Sequence, residues 1–181
     1  MNNNRRNARL VVAIIVCMIL SAPALLYAES PLPLVPALDP QRYSGLWFEI
    51  ARYPQFYENG LFGVTAEYDL QKDGSLSVTN AGYKGDLGGE RSVAHAVARI
   101  PDPNAPGALK LSFFGIFSSD YLVFGLDAEG YSWALVGDNA RKQLWFLSRK
   151  PRIDQALRSR MEAIAVANGY DLSKLYWVPQ P

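Results

Sequence analysis

Between residues 45 and 149 apolar and polar positions alternate in short runs, the period that one-sided burial imposes on a β-strand. The alternation is clearest where Phe62, Val64, Ala66, Tyr68 and Leu70 interleave with Gly63, Thr65, Glu67 and Asp69. Turn signals separate the runs: Asp73-Gly74, Gly88-Gly89, the loop from Pro101 to Gly107, Glu129-Gly130 and Asp138-Asn139. The pattern predicts eight strands, near 45–53, 62–70, 75–84, 91–100, 108–114, 120–127, 131–137 and 143–149. Beyond them Ile153, Leu157, Met161 and Ile164 fall at helical spacing and Asn168-Gly169 supplies a stop, which predicts one helix. A short last strand is expected from Leu175 to Val178.

An antiparallel sheet of eight short strands leaves two open edges unless it closes, and closure with about eight strands leaves an interior for one small ligand. The expected fold class is therefore all-β: an eight-stranded antiparallel up-and-down barrel with one C-terminal α-helix packed on the outside. On the fourth strand Ala94, Ala96 and Ala98 share a face with Ile100, small side chains that leave space inside. Val93, His95, Val97 and Arg99 occupy the opposite face. On the first strand Trp47 shares a face with Glu49, Ala51 and Tyr53, and this face is expected to look inward. Leu46, Phe48 and Ile50 lie on the other, which the helix is expected to cover.

The first thirty residues carry a basic start, an apolar run from Leu10 to Leu20 and then small residues, the pattern of an export signal. Residues 1–28 read as that signal, with cleavage after Ala24 or Ala28; the run is shorter than the ~20 residues a bilayer span requires. The only cysteine, Cys17, follows Ile14-Ile15-Val16 rather than the small residues expected before a lipidated cysteine, so it is read as a buried hydrophobe without acylation. Residues 29–38 form a proline-rich extended arm, and the folded domain is placed at 39–181.

The length of 181 residues suits one domain after signal removal, since ~150 is typical. A hydrophobic content of 49% supplies a core and excludes a disordered chain. Lys and Arg number 18 against 17 Asp and Glu, but Arg5, Arg6 and Arg9 lie in the signal, leaving a slight acidic excess and disfavouring a nucleic-acid partner. His95 is the only histidine, and without a cysteine cluster it makes a poor zinc site. The chain has neither a Gly-x-Ser-x-Gly nucleophile elbow nor a phosphate loop. No metal, cofactor or catalytic residue is expected.

The segment Gly45-Leu46-Trp47-Phe48-Glu49-Ile50-Ala51-Arg52 resembles the Gly-x-Trp signature of lipocalins in their bacterial outer-membrane branch. Leu144-Trp145-Phe146-Leu147-Ser148-Arg149, followed by Pro151, resembles that family's arginine-bearing segment. With Gly63-Val64-Thr65-Ala66-Glu67-Tyr68 and Lys110-Leu111-Ser112-Phe113-Phe114 between them, the likeness spans about residues 38 to 180. It departs from the family at Leu126-Asp127-Ala128, which keeps only the acid of a Thr-Asp-Tyr motif. It departs again at Leu61 and Gly82, where relatives often carry cysteines.

The resemblance implies that Arg149 stacks on Trp47 and, with Gly45, closes one end of the barrel as a structural signature. It implies a lumen lined by Tyr53, Trp133 and Trp145, with Ala94, Ala96, Ala98 and Glu49 also facing the ligand. Phe56, Tyr57, Phe114 and Phe117 are expected at a rim that touches a membrane or a second copy of the chain. The implied function is non-enzymatic binding, storage or transport of a fatty acid or lysophospholipid in the cell envelope. A lipid-modifying enzyme using Glu49 is the alternative.

Overall fold

The computed structural model describes residues 30–113 and 117–181; the signal, its cleavage positions, Cys17 and Phe114 lie outside them. Strand β1 (Gly45–Arg52) is the seam on which the sheet closes. The chain continues through β2 (Leu61–Leu70), β3 (Leu76–Lys84), β4 (Arg91–Arg99), β5 (Ala108–Phe113), β6 (Phe117–Leu126), β7 (Trp133–Gly137) and β8 (Leu144–Ser148). Each pairs antiparallel with the next, and β1 bonds β8 along one edge and β2 along the other. This is the expected closed barrel, and the eight strands fall where the alternation and turns place them. A short helix α1 (Pro40–Tyr43) precedes β1, helix α2 (Gln155–Ala167) follows β8, and a two-residue β9 (Tyr176–Trp177) adds to β1.

The alternation of β1 breaks once. Glu49 lies opposite Leu147 and Ala51 opposite Phe146, so β1 carries one extra residue, Ile50, that β8 does not match. Such a bulge inverts the facing of everything after it. Trp47 therefore belongs to the core inside the barrel, whereas Ile50, Ala51 and Tyr53 belong to the core outside. Tyr53, expected in the lumen, instead exchanges hydrogen bonds with the main chain of Asp171: its hydroxyl donates at 2.9 Å and accepts at 2.7 Å.

Two cores result. The inner one holds Trp47, Tyr68, Val78, Ala96, Ala98 and Leu147 among others. The outer one lies under α2, where Met161 and Ala165 are fully buried in one cluster with Leu135 and Phe146. Asp154 caps this helix by accepting from the Leu157 amide at 2.8 Å, and Gly169, at φ +86°, turns the chain away after Ala167. The proline-rich arm is docked on the barrel. Leu32 is buried in the outer core, Leu38 in the inner one, and the Val35 amide donates to the Val123 carbonyl at 3.0 Å.

One end of the barrel is sealed by Arg149, whose guanidinium lies 3.8 Å over the Trp47 ring. Its Nη1 donates to the Leu46 carbonyl at 2.8 Å, and its Nη2 donates to the Arg42, Tyr43 and Ser44 carbonyls at 2.9–3.1 Å. The carbonyls of residues 42–44 end α1 and have no helical partner of their own. Gly45 sits at φ +93°, which admits glycine most readily, and a Cβ there would stand 3.4 Å from Nη1. Replacing Arg149 with Ala removes these bonds together with the stacked cation. The expected loss is about 2–4 kcal/mol of unfolding free energy by urea titration, and about half as much for Arg149→Lys.

The seam between β1 and β2 is finished by the C-terminus. Pairing ends at Phe48 with Thr65, and beyond it the tail fills the gap. The Val178 amide donates to the Ile50 carbonyl at 3.0 Å and the Gly63 amide to the Pro179 carbonyl at 2.8 Å. Gln180 Nε2 donates to the Glu49 and Val64 carbonyls at 2.7 and 2.9 Å. Deleting residues 178–181 is expected to lower the thermal midpoint by roughly 5–10 °C in calorimetry, since several seam groups lose partners worth ~1 kcal/mol each.

Candidate functional site in the barrel lumen

Above the Trp47 plug the barrel encloses a cavity of about 480 Å³, within the ~300–1,000 Å³ range of small-molecule sites. Its mouth lies at the end away from Arg149, where the β1–β2 and β7–β8 connections gather. Val64, Ala66, Leu111 and Leu147 give it apolar walls, and Ala94 keeps the wall thin enough to leave room. Phe56 stands 97% exposed beside the mouth, and the exposed Tyr57 reaches in to line the cavity.

The floor is polar. Tyr121 shares hydrogen bonds with the hydroxyls of Tyr43 at 2.7 Å and Tyr68 at 2.8 Å, and all three rings are buried. Burial pushes each phenol above its ordinary range, so the three stay protonated. Three hydroxyl protons serve two mutual bonds, which leaves one donor over. Tyr68 and Tyr121 both line the cavity, and in the two arrangements where one of them rather than Tyr43 carries the spare proton, it faces an acceptor inside.

One wall is charged. Glu49, 5% exposed, accepts from Arg52 Nη1 at 2.6 Å. Arg52 Nη2 donates to the Glu58 main-chain carbonyl at 2.6 Å, and its Nε lies 3.5 Å from the Glu58 carboxylate without a hydrogen bond. Trp145 Nε1 donates to that same carboxylate at 3.4 Å. Two carboxylates thus share one guanidinium. Burial pushes the Glu49 carboxyl well above its usual range and the charge of Glu58 adds to this, while Arg52 opposes both. Burial raises Glu58 likewise.

Of the residues singled out in the sequence, Glu49, Ala94, Trp145 and Tyr57 line this cavity. Ala96 and Ala98 face inward but lie below it, packed in the inner core. Trp133 does not reach the lumen. On β7 it is Ala134 and Val136 that point in, and Trp133 lies in the outer core with the Arg160 guanidinium 5.2 Å from its ring. Phe117 pairs with Phe113 on the last rung of β5 and β6, where a turn was expected. Asp127, kept from the family motif, accepts from the Gly130 amide and the Ser132 hydroxyl and so shapes the β6–β7 turn at the closed end. Leu61 and Gly82 are neighbours: a Cβ at Gly82 would meet the Leu61 Cβ at 3.3 Å.

Sequence reasoning did not single out Arg52, Glu58 or Tyr121. Tyr68 carried a signal in the alternation of β2, and Arg52 stood beside the signature. Glu58 sits in an irregular turn (Phe56–Glu58) where no periodicity points to a face.

A family model described as a lipocalin-like domain matches residues 38–180. The chain is 42% identical over 158 residues to the outer membrane lipoprotein Blc of Escherichia coli, covering 84% of this chain and 88% of that one. It is 37% identical to the protein of the same name in Vibrio cholerae, covering 93% and 98%. Insecticyanin from the tobacco hornworm superposes with a TM-score of 0.66 at 20% identity, over 83% of this chain and 85% of that one, a likeness of fold. The sealed barrel, the Gly45-x-Trp47 entry, the arginine over the indole and these matches together place the chain in the lipocalin family.

Proposed function

We propose that this protein carries one single-chain amphiphile, of the fatty acid or lysophospholipid class, in the barrel lumen and releases it unchanged. The observation that carries this reading is the cavity of about 480 Å³, apolar in its walls, sealed at the base and open at an aromatic mouth. An apolar hollow of this size is held open at the expense of packing, which a hydrocarbon chain restores on entry. The exposed Phe56 ring and Tyr57 at the mouth supply an apolar rim for contact with a membrane surface while the chain passes.

An envelope location fits the export signal and the names of the bacterial relatives. Their name, outer membrane lipoprotein, stands against an unacylated Cys17, and the bulky residues before Cys17 stand for one. The intact mass of the mature protein separates the two.

Native mass spectrometry of the mature protein is expected to show one lipid per chain, recovered chemically intact. A converted lipid, with conversion lost in Glu49→Gln, would instead make the lumen a catalytic site. Ala94→Trp is expected to abolish saturable binding of a lysophospholipid with little change in stability, because the new ring enters the cavity. Ala96→Trp, by contrast, overpacks the core below it and should cost about 1–3 kcal/mol in a denaturant titration. Equal destabilisation by the two, with binding unchanged, would mean that the lumen is not the ligand site.

A further inference from the structure

The charges around the cavity are one-sided. Glu49, Glu58 and Asp120 line it, and no Lys, Arg or His does so among the described residues. Asp120 is paired with the exposed Lys110. Arg52 neutralises one of the other two carboxylates from within the wall: its Nη1 donates to Glu49, its Nη2 to the Glu58 main chain, and its Nε stands 3.5 Å from the Glu58 carboxylate without a hydrogen bond. The second oxygen of Glu49 accepts no hydrogen bond among the described residues, although its side chain is only 6% exposed and faces the cavity. That oxygen is open to the cavity, where a ligand that brings a positive donor can meet it.

We propose that the lumen selects an amphiphile whose head group carries an ammonium over one that carries a free carboxylate, the ammonium seating against Glu49 and Glu58. This rests on the lumen being the ligand site and narrows the ligand class. A bound ammonium takes the place of the proton that the buried pair holds, whereas a bound carboxylate adds a third negative charge to it. The groups facing Glu49 are Arg52 on β1, Tyr57 and Glu58 on the turn, and Tyr68 on β2. Burial keeps both tyrosines protonated, so the titration falls to the carboxylates. Because burial holds the Glu49 proton to higher pH, binding of a permanent cation should release protons and tighten as pH rises from 5 to 8, and binding of a carboxylate should weaken.

The test uses four ligands with one C12 chain, each below its micelle concentration: dodecyltrimethylammonium, dodecanoate, dodecanol and dodecylphosphocholine. By calorimetry at pH 8 the cation is expected to bind about tenfold or more tighter than dodecanoate, with dodecanol between them. Glu49→Gln should bring that ratio close to one while leaving dodecanol affinity unchanged, which also reports that the variant is folded. Dodecylphosphocholine binding as tightly as the cation assigns the ammonium to a zwitterionic phospholipid head; binding weaker than dodecanol assigns it to a simple amine. Dodecanoate binding as tightly as the cation, or a cation affinity flat between pH 5 and 8, overturns the proposal while dodecanol binding still supports the lumen. Failure of all four, dodecanol included, overturns the lumen reading itself.

Discussion

The architecture depends on Arg149 standing between Trp47 and the end of α1. A four-residue helix cannot satisfy its own last carbonyls, and the forked guanidinium takes up those of residues 42–44 together with that of Leu46. Its flat face then covers the indole, whose Nε1 donates to the Tyr43 carbonyl at 2.8 Å. Helix, strand and plug are fixed by one side chain. Without the seal the closed sheet would be a tube open at both ends, and the tyrosine floor would have nothing to rest on.

The fold was legible because burial on one face writes a period of two into each strand and the turns carry their own residues. Sidedness was harder to read. On β7 every residue from Trp133 to Gly137 is buried, since the lumen covers one face and α2 the other, so no polar position marks the outside. Trp133 accordingly lay on the wrong side of the expectation. Tyr53 failed differently: its parity with Trp47 holds only for a regular strand, and the extra residue at Ile50 has no distinguishing side chain. The same bulge brings Arg52 back beside Glu49, so the irregularity that hid one residue built the charged wall.

The candidate site combines an apolar hollow with polar groups at two heights. Tyrosine hydroxyls lie at the floor, and carboxylates nearer the mouth offer acceptors. A chain that is apolar along its length and polar at its head meets both demands. The wall is expensive to maintain, because two buried acids share a single cation. Tuning for a charged partner gives such a wall a purpose that packing alone does not.

In the proposed function a hydrocarbon chain occupies the space above Trp47 and inside the strands. Of the four tryptophans, Trp145 lines the cavity, Trp47 lies in the plug, and Trp133 and Trp177 belong to the outer core under α2. The most direct measurement is quenching of tryptophan fluorescence by a chain brominated near its middle, in the unaltered protein and in Trp145→Phe. Quenching that saturates at one chain per protein and largely disappears in the variant is the expected result. Quenching that persists undiminished in Trp145→Phe would put the chain outside the barrel and contradict the account.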